Sequence, residues 1–435
     1  MATERRLTTS RLGRLTQMGR LATGIAGAMV GEGARQLAQG RRPTVGELLL
    51  TPANARRLGD RLSEMRGAAM KVGQLLSMDS GQLLPPQLSD MLARLREQAH
   101  PMPIPQVARA LEQAWGKDWQ REVTRFSFTP LAAASIGQVH EAVLRDGQHL
   151  AVKIQYPGIR RSIDTDVDNV ATLLRFSNLV PEEFDFAALL SEAKRQLHAE
   201  ADYAKEADAL ERFAGLVAAD SRFDVPEVVR ALSTNEVLAL RFLDGQPIET
   251  LADAPATERD SAAGDLLKLA VREVFDWGIV QTDPNFANYL YKADTGQIQL
   301  LDFGATRSYT PHQRAALKRL LRAGVDGTDK DLAESAVAVG YLDESDPLHY
   351  RADVIALLRA ATEPARSGGF YNFGNTELAD RMKEIVIDMR LRHRFGRIPP
   401  PEILFLHRKL GGLYMLLARL RARIPVREIV DTWVA

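Results

Sequence analysis

The sequence predicts an α+β protein of two lobes, a small β-rich one followed by a larger helical one, with a helical extension in front. Three observations predict it. At 435 residues the chain is too long for one small core. Strand-like runs gather between Phe126 and Leu243, and helical periodicity dominates on either side. Composition is that of a soluble globular protein, with 45% hydrophobic and 26% charged residues. Lys+Arg and Asp+Glu balance at 56 each, so net charge points to no nucleic-acid partner. The absence of cysteine excludes disulfides, zinc-thiolate sites and thiol catalysis, and suits a reducing compartment.

Residues 1–50 read as a basic, amphipathic segment. Arg5, Arg6, Arg11, Arg14 and Arg20 stand against the single acid Glu4 in the first twenty positions. The apolar run Leu21 to Gly31 follows, about half the length that spans a bilayer. Two readings of residues 11–38 stay open: surface contact with anionic membrane, or a helix docked on the protein's own body. No full transmembrane segment is expected elsewhere. The late apolar run Leu404 to Leu420 is interrupted by His407, Arg408, Lys409 and Arg419.

Residues 51–120 read as a helical extension. Leu58, Leu62, Met65, Ala69, Val72 and Leu76 recur at steps of four and three, which marks one face of a helix from about Ala53 to Met78. Lys71 and Gln74 lie on its flank, with Gly67 four residues before Lys71. Alone, K-x-G-Q there reads as a solvated flank. Pro85-Pro86 breaks the chain, Gln87 to Gln98 resumes it, and after Pro101, Pro103 and Pro105 a further helix runs from Gln106 to Trp115.

Residues 121–245 read as the β-rich lobe. Phe126–Pro130, Gln138–Leu144 and His149–Ile154 are predicted strands, the last two joined at Asp146-Gly147, a hairpin turn signal. Helices are expected over Ile163–Asn178 and Phe186–Leu216, then a strand pair, Val225–Leu232 and Glu236–Leu243. Residues 246–435 read as helical apart from a short hairpin, Asn288–Tyr291 with Gln297–Leu301.

The chemistry is concentrated around that hairpin. Asp302-Phe303-Gly304 follows its second strand. Nineteen residues upstream is Asp283, and five beyond that is Asn288. An aspartate, an asparagine at plus five, a hairpin and D-F-G is the arrangement of a protein-kinase-like catalytic core. In that chemistry Asp302 and Asn288 hold metal on nucleotide phosphates, and Asp283 orients or deprotonates the attacking group. In the β-rich lobe, Ala151-Val152-Lys153 matches the strand whose lysine holds the α- and β-phosphates. The phosphate-loop position carries Ala132-Ala133-Ala134-Ser135-Ile136-Gly137-Gln138-Val139 where a kinase has glycines. Alanine narrows the backbone freedom that glycine gives, so the loop should cover phosphates differently. Three acids, Glu200, Asp202 and Glu206, are candidates to pair with Lys153.

These motifs together resemble the UbiB-type atypical kinases, also called aarF-domain-containing kinases, which support coenzyme Q biosynthesis. The marks are K-x-G-Q at Lys71–Gln74, A-A-A-S-I-G-Q-V-H at Ala132–His140, E-x-D at Glu200–Asp202, Q-T-D-P-N-x-x-N at Gln281–Asn288 and L-D-F-G-A-T-R at Leu301–Arg307. The resemblance implies a bilobal protein-kinase-like fold, α+β, with the K-x-G-Q helix folded over the active site. It implies that Lys153 pairs with Glu206 and the phosphates, that Glu200 and Asp202 face nucleotide and metal, and that Lys71 sits near those acids. Ala132, Ala133, Ala134, Ser135 and Gln138 would complete the nucleotide site. ATP and Mg²⁺ are the implied cofactors. Membrane lipid or a quinone precursor, and other quinone-biosynthesis proteins, are the implied partners. A cytoplasmic protein held peripherally at the inner membrane is the implied location.

Two features of the residues point away from peptide phosphorylation. Thr282 precedes Asp283 where an ordinary kinase carries an arginine that docks a phosphorylated loop. Thr310-Pro311 reads as a helix start only six residues past Gly304, which leaves no room for an activation segment of roughly twenty or more residues. The expected function is an atypical kinase or ATPase in ubiquinone biosynthesis. The alternative is a nucleotide-gated, lipid-binding scaffold without obligatory phosphoryl transfer.

Overall fold

A computed structural model of the chain describes residues 65–79, 101–176, 186–283, 285–393 and 399–434. The basic segment 1–50, the start of the K-x-G-Q helix and the predicted helix Gln87–Gln98 lie outside the described residues. The chain forms two compact units. One comprises residues up to Ala207 together with Val228–Phe242; the other comprises Asp208–Glu227 and Leu243 onward.

The first unit carries helices α1 (Arg66–Asp79), α2 (Ile104–Trp115), α3 (Ile159–Phe176) and α4 (Phe186–Glu200), and α5 (Tyr203–Val217) begins in it. Its sheet is antiparallel, built from β1 (Val123–Phe126), β2 (Ala132–Ala133), β3 (Gly137–Leu144), β4 (His149–Gln155) and β5 (Val237–Arg241). The order is β1-β3-β4-β5, with β2 on β3. The expected strand at Phe126–Pro130 lies instead at β1, where Phe126 pairs with Ala142. Opposed residues share a face of a sheet. One face of this one carries Ala142, Leu150, Val152, Ile154, Val237 and Ala239. It is sealed by Val107 and Leu111 of α2 and by Trp119. Trp119, Phe126 and Phe128 meet edge-to-face, with ring centroids 5.1–6.5 Å apart.

The single helix expected over Phe186–Leu216 is broken at Ala201-Asp202. Gln155 takes the Ala201 carbonyl with its amide at 3.0 Å, and the Tyr203 amide donates to Asn235 at 3.3 Å. Those bonds replace helix rungs at the break. Helix α1 packs against α3 and α4. Of the predicted stripe, Met65, Ala69 and Val72 are buried, and Ala68 and Leu75 are buried beside them; Leu58, Leu62 and the Leu76 side chain lie outside the described residues.

In the second unit, α6 (Ala256–Arg272) runs into a π-helical turn, Glu273–Trp277. Then come β6 (Ile279–Gln281), β7 (Tyr289–Lys292), β8 (Gln297–Leu300) and β9 (Thr306–Ser308). The hairpin β7–β8 pairs Tyr289 with Leu300, and β9 pairs with β6. Helices α7 (Pro311–Val325), α8 (Asp329–Val339), α9 (Leu348–Ala361), α10 (Leu378–His393), α11 (Pro401–Arg419) and α12 (Val426–Val434) complete it. Thr310 caps α7 in a reciprocal capping box with Gln313, and Pro311 opens the first turn, as its sequence predicts.

One expected strand is not formed. Val225–Leu232 holds only a bridge from Val228 to Leu240 and a single turn at Arg230–Leu232. The pairing strand is Phe223–Asp224, which adds in parallel to β8. Phe213 packs on Phe303 at 4.2 Å. These two contacts assign residues 208–227 to the helical unit, where the sequence places them in the β-rich one. No helix among the described residues is long and apolar enough to cross a membrane.

Candidate active site

The β-rich unit holds one half of the predicted constellation. Lys153 sits mid-strand on β4, opposite Val139, and its ammonium pairs with Glu206 of α5. Both side chains are nearly enclosed, at 11% and 3% exposure. The Lys153 ammonium also lies 5.4 Å from the Tyr203 ring centroid. Of the three candidate acids, Glu206 is therefore the one that meets Lys153. The helix break sends the other two elsewhere. Glu200, at the end of α4, pairs with Lys71 of α1 and accepts a hydrogen bond from the Ser135 hydroxyl at 3.0 Å. Asp202 lies 3.6 Å from both Arg160 and Lys205.

Lys71 is not a solvated flank residue. It is 5% exposed, on a helix whose Gly67 lies against the alanine loop. A Cβ on Gly67 would fall 2.9 Å from the Ser135 carbonyl oxygen and 3.3 Å from the Ile136 side chain. Only glycine permits that approach. The loop is a tight hairpin. Ala132 and Ala133 pair with Val139 and Gln138, and the Ala134 amide donates to the Gly137 carbonyl at 2.9 Å. Gln138 has a placement the sequence did not anticipate. It opposes Ile154, one residue off the Val139–Lys153 pair, so its side chain lies on the sheet face away from the Lys153 ammonium. It is buried there with both amide atoms unpartnered. Only its backbone belongs to the loop that the sequence assigns to phosphate.

The helical unit holds the other half. Asp283 follows β6, and Asn288 closes the turn that enters β7. The Leu301 amide donates to the Asn288 carbonyl at 3.0 Å, so the hairpin brings Asn288 and Asp302 to the same end of the sheet. The Asn288 amide nitrogen donates to Asp283 Oδ2 at 3.1 Å. A carboxylate accepts only, so that bond orients Asn288 Oδ1 away from Asp283. Asp302 Oδ1 accepts the Gly304 amide at 2.9 Å, and Phe303 is buried.

Sequence reasoning missed three residues beside this group. Arg408 of α11 donates to Asp283 Oδ1 at 2.6 Å. Its neighbour Lys409 lies 3.0 Å from Glu273, in the π-helical turn, and 3.4 Å from the Tyr289 hydroxyl. Glu273 and Lys409 are almost wholly buried. Burial pushes the Glu273 carboxyl above its ordinary value against the pull of Lys409. Burial also disfavours the Lys409 ammonium, which Glu273 and Tyr289 more than restore. The signal was available. Consecutive cations in an otherwise apolar helical run need buried partners.

The two units define a protein-kinase-like protein, with a lysine–glutamate pair in one and an aspartate–asparagine–D-F-G group in the other. The profile of the ABC1 atypical kinase-like domain matches residues 94–336. The mitochondrial atypical kinase COQ8B of Rattus norvegicus is 38% identical over 433 residues, covering 99% of this chain and 82% of its own. The mitochondrial atypical kinase COQ8 of Saccharomyces cerevisiae is 33% identical over 428 residues, 97% of this chain and 84% of that one. Against the mitochondrial atypical kinase coq-8 of Caenorhabditis elegans, identity is 36% over 424 residues. That match covers 95% of this chain but only 56% of the relative's length. A solved structure of Rv3197 with erythromycin, from Mycobacterium tuberculosis, shares the fold. Its TM-score is 0.60 at 24% identity, over 88% of this chain and 95% of that one. The chain belongs to the ABC1, or UbiB, family of atypical kinase-like proteins.

Proposed function

We propose that this protein is an atypical kinase or ATPase that uses Mg²⁺-ATP and supports ubiquinone biosynthesis at a membrane surface. The observation that carries the reading is the enclosed Lys153–Glu206 pair. A lysine fixed by a carboxylate on a helix is the arrangement that phosphoryl transfer in kinases requires. A buried pair of that kind without a ligand role is a weak source of stability.

The residues fit the cofactor. Asn288 Oδ1 and the Asp302 carboxylate are hard oxygen donors. Among the described residues no cluster of three or more His, Cys, Asp or Glu forms a protein-only metal cage. Mg²⁺ suits such a sparse set, since it is held by one or two carboxylates together with substrate phosphates. Bound Mg²⁺-ATP supplies the phosphoryl group and the charge that neutralises it in transfer. On this reading Lys153 orients the α- and β-phosphates, and Glu206 holds Lys153 extended. Asp283 accepts the proton of the attacking hydroxyl or water at its carboxylate, which Arg408 and Asn288 hold from two sides. Ala132, Ala133, Ala134 and Ser135 form the cover over the phosphates.

Helix α1 acts as a lid in this reading. Lys71 engages Glu200, Glu200 holds Ser135, and Gly67 seats on the loop carbonyl. A helix there suppresses peptide phosphorylation, in keeping with the six-residue interval from Gly304 to Thr310. The preferred acceptors are water or a small molecule. Membrane lipid, a quinone precursor and other quinone-biosynthesis proteins are the proposed partners.

The test is nucleotide turnover by purified protein, with and without lipid and quinone-precursor-like phenols. Asp302→Asn should abolish metal-nucleotide binding. Asp283→Asn should bind nucleotide and lose turnover. An inactive wild type under all these conditions rejects the reading. The Lys71–Glu200–Ser135 contact also favours a second one, a nucleotide-gated scaffold that organises biosynthetic enzymes. Full quinone production in cells that carry only Asp283→Asn decides for the scaffold.

A further inference from the structure

We infer that Lys409 is a positioning residue for Asp283, acting through Glu273 and Gln281. The inference rests on the reading of Asp283 as the catalytic carboxylate. Lys409 Nζ lies 3.2 and 3.0 Å from the two Glu273 carboxylate oxygens. One of these, Oε2, also accepts the Gln281 backbone amide at 3.3 Å. The Gln281 side-chain amide then donates to the Asp283 backbone carbonyl at 2.8 Å. A continuous polar path therefore runs from an α11 ammonium to the catalytic backbone through groups that water does not reach.

The local structure is bent to make that path. Helix α6 ends in a π-helical turn that begins at Glu273. The extra residue per turn rotates the carboxylate relative to a continued α-helix, and such insertions recur at functional sites. β6 is only three residues long, and its partner β9 constrains Gln281 by pairing it with Thr306. The Thr282 amide and hydroxyl both donate to the Ala305 carbonyl at 2.8 Å. The backbone just before Asp283 is thus clamped on one side by β9 and on the other by Glu273. An ion pair that only stabilised the helices would need no bond to Gln281.

The test compares four variants in the full chain for nucleotide turnover, nucleotide affinity and pH–rate profile. Glu273→Gln with Lys409→Met removes the charge pair. Gln281→Met cuts the path and leaves the pair intact. Asp283→Asn removes the carboxylate. The double variant and Gln281→Met should each lose on the order of 100-fold in kcat, as a misplaced group of about 1 Å does. KM for ATP should stay within about twofold, because no nucleotide contact has changed. The acid limb of the pH–rate profile should move in both. Lys409→Arg, which keeps the charge, should lose less than the double variant. Where the double variant fails to fold, Gln281→Met decides alone. Wild-type kcat and pH profile in Gln281→Met, with Asp283→Asn inactive, overturns this inference and leaves the proposed function standing. Full turnover in Asp283→Asn overturns the proposed function itself.

Discussion

Arg408 donates to Asp283 at 2.6 Å across 125 positions of sequence. Asn288 takes the second carboxylate oxygen, so the group that reads as the base is held by a guanidinium on one side and an amide on the other. An ordinary kinase carries an arginine directly before its catalytic aspartate. Here that position is Thr282, and the cation comes from α11. It contacts the carboxylate itself and not a distant phosphorylated loop.

Removing that cation should damage transfer more than binding. Arg408→Ala should lower turnover on the order of 100-fold, the scale of a lost preorganised donor. Nucleotide affinity should change little. Arg408→Lys should restore only part, because an ammonium is a point charge without the guanidinium fork. Steady-state kinetics beside nucleotide titration reads both numbers.

The neighbouring pair predicts a stability effect that a double variant reverses. Lys409→Met strands the Glu273 carboxylate in a site from which water is excluded. The expected cost is about 3–5 kcal/mol. Adding Glu273→Gln removes the stranded charge and should recover most of it. Urea denaturation of the two variants beside the wild type checks the order.

Gly67→Ala tests the seat of α1. In an open helix the change would favour folding by about 1 kcal/mol. Here the added carbon meets the Ser135 carbonyl oxygen at 2.9 Å, so helix or loop must shift. The expected outcome is a weakened Lys71–Glu200 contact, seen as faster proteolysis within α1 and altered nucleotide exchange. Unchanged proteolysis and exchange would remove α1 from the role of lid.

His140 gives a pH dependence of known sign. It is fully enclosed. Its Nδ1 is 2.9 Å from the Ser127 carbonyl, and Nε2 is buried without a partner. Burial holds the imidazole below its ordinary value of 6.5. The unfolded chain therefore takes up a proton more readily than the fold. This contribution is present in full above that value and is lost as pH falls through it toward the folded-state value. Thermal midpoints should drop between pH 7.5 and 5.5, and His140→Phe should flatten part of the drop while keeping the stack on Phe126, whose ring centroid lies 5.5 Å from that of His140. An identical slope in the variant would assign the drop to other groups.

Much of the molecule was legible because its signals are local. The α1 stripe, the Thr310-Pro311 cap and the β7–β8 hairpin each depend on residues within a few positions of one another. The Lys153–Glu206 pair was legible as a choice among three acids, and the family resemblance selected the one the structure joins. The helix break at Ala201-Asp202 was not legible, because the amide that takes the Ala201 carbonyl comes from Gln155 in a strand. Nor was the exchange of Val225–Leu232 for Phe223–Asp224, since the partner strand β8 lies far along the chain. The face of Gln138 follows from register, which a run of alternating residues does not fix. Arg408 and Lys409 were visible only as interruptions, and their partners were not.

The short path from Gly304 to Thr310 has a consequence for control. Three of its residues are committed as β9 to pairing with β6. A kinase with a long mobile segment can be switched by an upstream enzyme that writes a phosphate on it. On the proposed reading this chain has no long segment there to carry such a switch, and its throttle is mechanical and reversible, set from moment to moment by the concentration of ligand that lifts or seats α1. Such a protein follows the supply of its own small molecules and keeps no memory of a past signal.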